Sequence, residues 1–496
     1  MTRVLVLTTE PLPYRGLSTT GAGLRAWGLY RGLAASGLDV IPAMPTDAIA
    51  GKTIEDPSFS SSRNLFSRNH LTDFVNEIEP DVIVFQHWGL IRHLQIAPCP
   101  IALDLAGPHL LERYYWRGGD DSHNKPHKTF DLRSEEDLAE KLQAIRRVDF
   151  VTCSGNFQRL YFLPYMTMAG YSISNETLPV IPFSIDPSPP EGVDQERVSH
   201  RFVYGGMFLP WQNAEKPLRL LLEILDETGK GELCFYGGMH PSLDVSGGRY
   251  EGIVKLLSTH PRVTMRGILP FEELCREYCK ADVALDLFLR NPEREIAFTT
   301  RTVVYMWCGL PVIYNNYSEL SGYIKDRDAG WTLDPDDEKA FRRTLQDILE
   351  GREDLEKRRE AAGKLVLSEF DWTKTVLPLA KFCHNPRYRE GKTGKLLAFE
   401  NRALRIRQLE KELEETRGEL MTLKGKLWFR MYEKLHLLRP LAAPIVFLST
   451  VLVSLFAMGL FMIADFIPGK RKKSFSPGVS KRRRGRRSEN EIWFGE

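Results

Sequence analysis

Two successive series of strand-like apolar runs, each alternating with helical patterns, limit this chain to α/β folds built on parallel sheets. The first series is Val4–Leu7, Val40–Ala43, Val82–Phe85, Ile101–Leu105, Phe150–Cys153 and Val180–Phe183, with a helix predicted over about 24–36. Neighbouring parallel strands need a crossover, usually a helix, so the alternation predicts a parallel sheet covered by helices. Ser188-Pro189-Pro190-Glu191-Gly192 breaks the pattern, and Arg201–Tyr204, Leu233–Tyr236, Val263–Met265, Val283–Leu287 and Val312–Tyr314 repeat it. After Trp331–Pro335 the spacing predicts a helix over Glu338–Leu349 and further helix to about Phe382. Phe370-Asp371-Trp372 in this stretch suggests that the last segment returns to the first domain.

The expectation is therefore two doubly wound domains facing a cleft, over 1–195 and 200–385. A chain of 496 residues has room for both, and for appendages. The net charge of +2 conceals ten basic residues in Lys470–Lys473 and Lys481–Arg487, so the body is near balance and is not expected to bind nucleic acid. Cys99, Cys153, Cys234, Cys275, Cys279, Cys308 and Cys383 follow no framework spacing, as expected where thiols stay reduced. Cys275 and Cys279 lie four apart without a second pair, which favours buried helix packing over a metal site. Met1 runs almost directly into Val4–Leu7, too short a run for a secretory signal, and the cytosol is the expected compartment.

From 396 to 430 the composition turns to charged residues around a stripe of Ile406, Leu409, Leu413, Thr416, Leu420, Leu423 and Leu427. Steps of three and four predict a coiled-coil seam of about three heptads, with a solvated helix packing back on the body as the alternative. Gly418 and Gly425 each weaken that helix by about 1 kcal/mol. Residues 441–463 are 23 in a row without a charge, near the roughly 20 that cross a hydrocarbon core. Membrane attachment follows, and two topologies remain: a re-entrant or surface-lying helix broken near Ser454 or Gly459, or a span whose folded body overrides the flanking charges. The basic tail at 470–496 would add attraction to anionic lipid of about 1 kcal/mol per charge.

Several glycine turns follow strands. Thr19-Thr20-Gly21-Ala22-Gly23 precedes the first helix, where free N–H groups can meet a phosphate or a sugar. The dinucleotide fingerprint is absent, which demotes hydride chemistry. The second half carries Gly205-Gly206 with Trp211, Tyr236-Gly237-Gly238, and Glu293–Arg301 leading into Gly309-Leu310-Pro311-Val312-Ile313.

These features, with Asp81–Val84 leading to His87-Trp88, Cys153–Asn156, Pro182–Ile185 and Arg266-Gly267-Ile268, resemble the retaining glycosyltransferases of family 4 over about residues 1–380. Phe298-Thr299-Thr300-Arg301-Thr302 and Trp307 before the Gly-Leu-Pro are similar to a bacterial subgroup. The resemblance implies a GT-B fold and a nucleotide-sugar co-substrate, with no other cofactor and no metal. Gly21, Gly23, Gly205, Gly206, Trp211, Gly237, Thr299, Thr300 and Arg301 are then expected to meet the donor. Asp104, Glu295 and Arg301 are the expected catalytic groups, with His87 and His109 on the acceptor side. The family's paired glutamates fall at Ile296 and Val304, leaving Glu293 or Glu295 to serve the sugar hydroxyls.

The activity implied is transfer of a hexose or deoxyhexose, with retention, onto a lipid-linked or surface glycan at the cytoplasmic face of the membrane. A homo-oligomer through the coil is the further partner expected. The alternatives are a non-catalytic membrane scaffold with a degenerate cleft, or a nucleotide-sugar epimerase.

Overall fold

The computed structural model describes residues 1–49, 51–116, 132–238, 250–390, 398–437 and 447–456. Each apolar series folds into a six-stranded sheet. The first takes β1 (Arg3–Leu7), β2 (Asp39–Pro45), β3 (Leu65–Phe66), β4 (Val82–Phe85), β5 (Ile101–Leu105) and β6 (Phe150–Cys153) in the order 3-2-1-4-5-6. The second takes β7 (Arg201–Met207), β8 (Glu232–Gly238), β9 (Val263–Gly267), β10 (Val283–Asp286), β11 (Val312–Asn315) and β12 (Gly330–Leu333), in the order 12-11-10-7-8-9. Counted from its own first strand, the second order is the same as the first. Every strand pair is parallel. Central strands such as β4, with Val82, Ile83, Val84 and Phe85 all buried, are apolar on both faces because helices cover both.

Val180–Phe183 does not form the strand its composition suggests. It makes a single bridge, Cys153 to Val180, and Pro179 and Pro182 remove the donors that would extend it. The first helix starts earlier than expected, at Gly21, because the Thr20 hydroxyl accepts from Gly23 N and caps it. The glycines read as loop are therefore its first turn.

The return of the chain is visible at Ile185. Its N–H donates to the Phe370 carbonyl at 2.8 Å, and its own carbonyl accepts from Trp372 N at 3.2 Å. Helices Trp372–Thr375 and Leu377–His384 then pack on the first domain, with Val376, Leu379 and Cys383 buried beside Val4, Leu29 and Val82. Gly32 makes the approach feasible, since a Cβ there would stand 2.5 Å from the Trp372 carbonyl. Helix Leu355–Glu369 immediately precedes this return. Cys275 and Cys279 are buried in its core together with Cys308.

A second compact unit begins at Arg402. Helix Ala398–Leu437 runs through Gly418 and Gly425 unbroken, with Leu409, Leu413 and Leu420 exposed. Of the apolar segment 441–463, residues 447–456 are helical and Phe447, Leu448, Leu452 and Phe456 are exposed. Among the described residues no helix is long and apolar enough to cross a membrane. The remainder of that segment and the tail 470–496 lie outside the described residues.

Candidate functional site

In a doubly wound sheet a ligand crevice opens beyond the carboxyl ends of the strands, where the strand order reverses. Those points lie between β1 and β4 and between β7 and β10. The helix that follows β1 meets the helix Thr300–Trp307 of the second domain N-terminus to N-terminus: a Cβ at Gly21 would stand 2.7 Å from Thr300 Oγ1. Two positive helix ends thus converge on one spot. Thr299 occupies the N-cap position without capping, because its hydroxyl pairs with the Tyr314 hydroxyl at 2.8 Å. The first N–H groups of Thr300–Trp307 therefore have no side-chain cap.

Most of the other expected donor glycines serve packing. Gly23 lies against its own loop, where a Cβ would stand 2.2 Å from the Pro11 carbonyl. Gly205 accommodates the Tyr278 hydroxyl, 1.8 Å from where a Cβ would be. Gly206, at φ +146°, leaves room for the Arg301 guanidinium, and Gly237, at φ +135°, lies over the Gly206 carbonyl. Trp211 does not offer a stacking face: it is buried in a cluster with Tyr115 and Leu209, and its carbonyl accepts from Asn291 Nδ2 at 3.0 Å.

Arg301 departs from its expected role as an open cation. Its guanidinium donates to the Gly205 carbonyl at 2.6 Å and to Gln212, and lies 3.3 Å from the buried Asp286. It also rests 5.1 Å from the ring centre of Phe288. Burial opposes its charge most strongly, but Asp286 together with Tyr204 and Tyr305 outweighs burial and keeps Arg301 protonated. Arg301 thus fixes the Gly205-Gly206 stretch at the end of β7.

Asp104 is likewise consumed by the fold. Its side chain is fully buried, takes both Arg25 Nε and Nη2 at 2.9 Å, and accepts from Thr152 at 2.8 Å. Arg25 in turn donates to the Pro182 carbonyl. A carboxylate so engaged braces the first domain. Glu295 is half-exposed and paired with Arg290 at 2.8 Å, and it is the adjacent Glu293 that turns inward.

The acceptor-side expectation brings residues together. His87 Nδ1 accepts from Gly89 N at 3.0 Å, and its ring lies 4.9 Å from that of His109. Burial, then the charge of His109, holds His87 well below the usual histidine range, so it is neutral. His109 Nδ1 is 2.8 Å from Glu112 Oε2. Burial pushes Glu112 up, but His109, with Arg294 and Lys141 behind it, holds the carboxyl below its ordinary value. Helix His109–Trp116 packs against Pro292–Ile296 of the second domain, where Arg294 clasps Glu293 with a second contact of 2.7 Å. Burial raises Glu293 to about 7 against the pull of Arg294. Behind this cluster Lys141 is wholly buried, with Nζ 4.7 Å from the centre of the Phe162 ring and 5.4 Å from that of Tyr165.

Glu112, Arg294, Lys141, Arg25 and Asp286 were not singled out from the sequence. Two signals were present: His109 and Glu112 have the i, i+3 spacing that pairs side chains on a helix, and Lys141 interrupts the apolar row Leu138, Leu142, Ile145.

No family model matches the chain, and no curated protein does. Solved structures do. Sucrose-phosphate synthase from Thermosynechococcus elongatus superposes with a TM-score of 0.54 over 77% of this chain and 98% of that one, at 16% identity. An α-glucosyltransferase in complex with UDP and a 13-mer DNA containing an HMU base gives 0.51 over 78% and 100%, at 10% identity. The same kind of enzyme with UDP-glucose and DNA containing an abasic site gives 0.51 over 77% and 99%, also at 10%. The two sheets form a GT-B-like fold. At these identities the likeness is one of fold, and the crevice between the two switch points is the candidate site of a GT-B-like chain.

Proposed function

We propose that this chain is a glycosyltransferase that takes a nucleotide-sugar donor and passes the sugar, with retention, to a lipid-linked or cell-surface glycan. The observation that carries the reading is the meeting of Gly21 and Thr300, which turns two helix N-termini toward one point at the carboxyl ends of both sheets. As the bond to the sugar breaks, negative charge grows on the departing diphosphate, and fixed N–H groups at a helix start stabilise it without reorganising. Thr299 and Thr300 supply hydroxyls beside those amides. A uridine nucleotide is the favoured donor, since the α-glucosyltransferases of like fold are complexes with UDP and UDP-glucose.

His109, held by Glu112, and neutral His87 flank the acceptor side, where a polarised imidazole orients a hydroxyl. Glu293 or Glu295 is the group proposed to serve the sugar hydroxyls. Arg301 acts through the Gly205-Gly206 turn, and no residue is assigned as a nucleophile. The apolar segment 441–463 and the basic tail support a place at the cytoplasmic face of the membrane, where lipid-linked acceptors lie. Ile296 and the buried Val304, standing where the resembled family has glutamates, favour the scaffold as the second reading.

Nucleotide binding separates the two. Titration of the full-length protein in detergent with UDP and other nucleoside diphosphates is expected to saturate with one of them. Thr300→Glu, which adds a negative charge at the shared helix ends, is expected to weaken that binding at least tenfold. A folded wild type that binds no nucleoside diphosphate would defeat the proposal.

A further inference from the structure

The helix Ala398–Leu437 is 40 residues long, about 60 Å, and carries a row of leucines that nothing in the described residues covers. Leu409, Leu413 and Leu420 are 46%, 51% and 49% exposed. Placing Ile406, Leu413, Leu420 and Leu427 at heptad position a puts Leu409, Thr416 and Leu423 at d. In the same register Gly418 and Gly425 both fall at f, the outermost position, where a missing side chain leaves no hole in a seam.

The flanking charges identify the occupant. Position g holds Arg405, Glu412 and Glu419, and position e holds Glu410, Arg417 and Lys424. In a parallel pair of helices each g residue faces the e residue five positions on in the partner. Arg405 then faces Glu410, Glu412 faces Arg417, and Glu419 faces Lys424, so all three pairs are of opposite sign. A fully overlapped antiparallel pair instead sets Arg405 against Lys426 and Glu412 against Glu419, which are like charges. In that register only Glu410 and Arg417 oppose with unlike sign, so the pattern favours a second copy in the parallel orientation.

We infer that this helix is the dimerisation surface of the protein, joining two copies as a parallel, in-register coiled coil over residues 405–427. In that arrangement both chains enter the coil at the same end. The inference rests on the helix alone and stands whether or not the cleft transfers sugar.

All seven native cysteines are buried, so an introduced thiol reports selectively. In the full-length protein in detergent, Leu413→Cys is expected to give a disulfide-linked dimer on mild oxidation, and Lys411→Cys, at f on the far side, is not. Reversing two g charges with Glu412→Lys and Glu419→Lys is expected to raise the dimer dissociation constant at least tenfold, read by sedimentation. Adding Arg417→Glu and Lys424→Glu to that variant is expected to restore it. A wild type that sediments as a monomer overturns the inference. So does a dimer that fails to crosslink at 413, or one that the two charge reversals leave unchanged.

Discussion

Lys141 offers a sharp test of how the first domain is built. Its ammonium is buried against the Tyr161, Phe162 and Tyr165 rings, and its Nζ has no hydrogen-bond partner among the described residues. Burial lowers it from the ordinary 10.5 to about 7, with Glu112 pulling it back up and Arg113 adding to the fall. A value depressed in the folded state means that stability is full above the unfolded value and declines as pH falls toward the folded one. The decline levels off below about pH 7. At about 1.4 kcal/mol per tenfold, the full cost at neutral pH is about 5 kcal/mol, falling to about 2 kcal/mol at pH 9. Contacts with the ring faces offset part of it, by about 0.5–2 kcal/mol. Lys141→Met keeps the volume and removes the charge, so it should stabilise the protein by at least about 2 kcal/mol at pH 7, with the gain shrinking toward zero near pH 10.5. Denaturant midpoints of the wild type and variant at pH 6.5, 8 and 9.5, taken as nominal settings, measure this. A variant less stable at every pH, or a gain that does not change with pH, would refute the reasoning.

Two further substitutions probe the second domain. Arg301→Ala leaves Asp286 buried and unpaired, and should lower stability by about 3–5 kcal/mol, seen as loss of folded protein or a reduced denaturant midpoint. Gly205→Ala drives a methyl into the Tyr278 hydroxyl and should cost about 1–3 kcal/mol. Tyr278→Phe in the same chain should recover part of that loss, since it removes the atom at 1.8 Å, and a double-mutant cycle reads the recovery.

The architecture was legible because it rests on long apolar runs: β4, β5 and β6 begin and end at the residues the pattern marked. β3 has only two residues, Leu65 and Phe66, too few to show any period. Val180–Phe183 has strand composition but lacks donors at Pro182 and at Pro179 just before it, a constraint that composition does not carry. At the site, the sequence marks the positions from which the crevice is built and does not reveal which way each side chain points. Thr300 comes against Gly21, and His87 against His109. Asp104 and Arg301, the charges that looked most chemical, are instead claimed by Arg25 and by Asp286, partners 79 and 15 positions away. Buried ion pairs of that range join different elements, and no local spacing announces them.

Turnover is the most direct test of the central claim. Full-length protein in detergent would be incubated with a panel of nucleotide-sugars and a membrane lipid extract, and nucleoside diphosphate release followed beside Thr300→Glu, a variant that leaves the buried ion pairs intact. Release with one donor, dependent on the lipid extract and lost in the variant, is the result the account predicts. Silence across the panel from a folded wild type, or release that Thr300→Glu leaves unchanged, would contradict it.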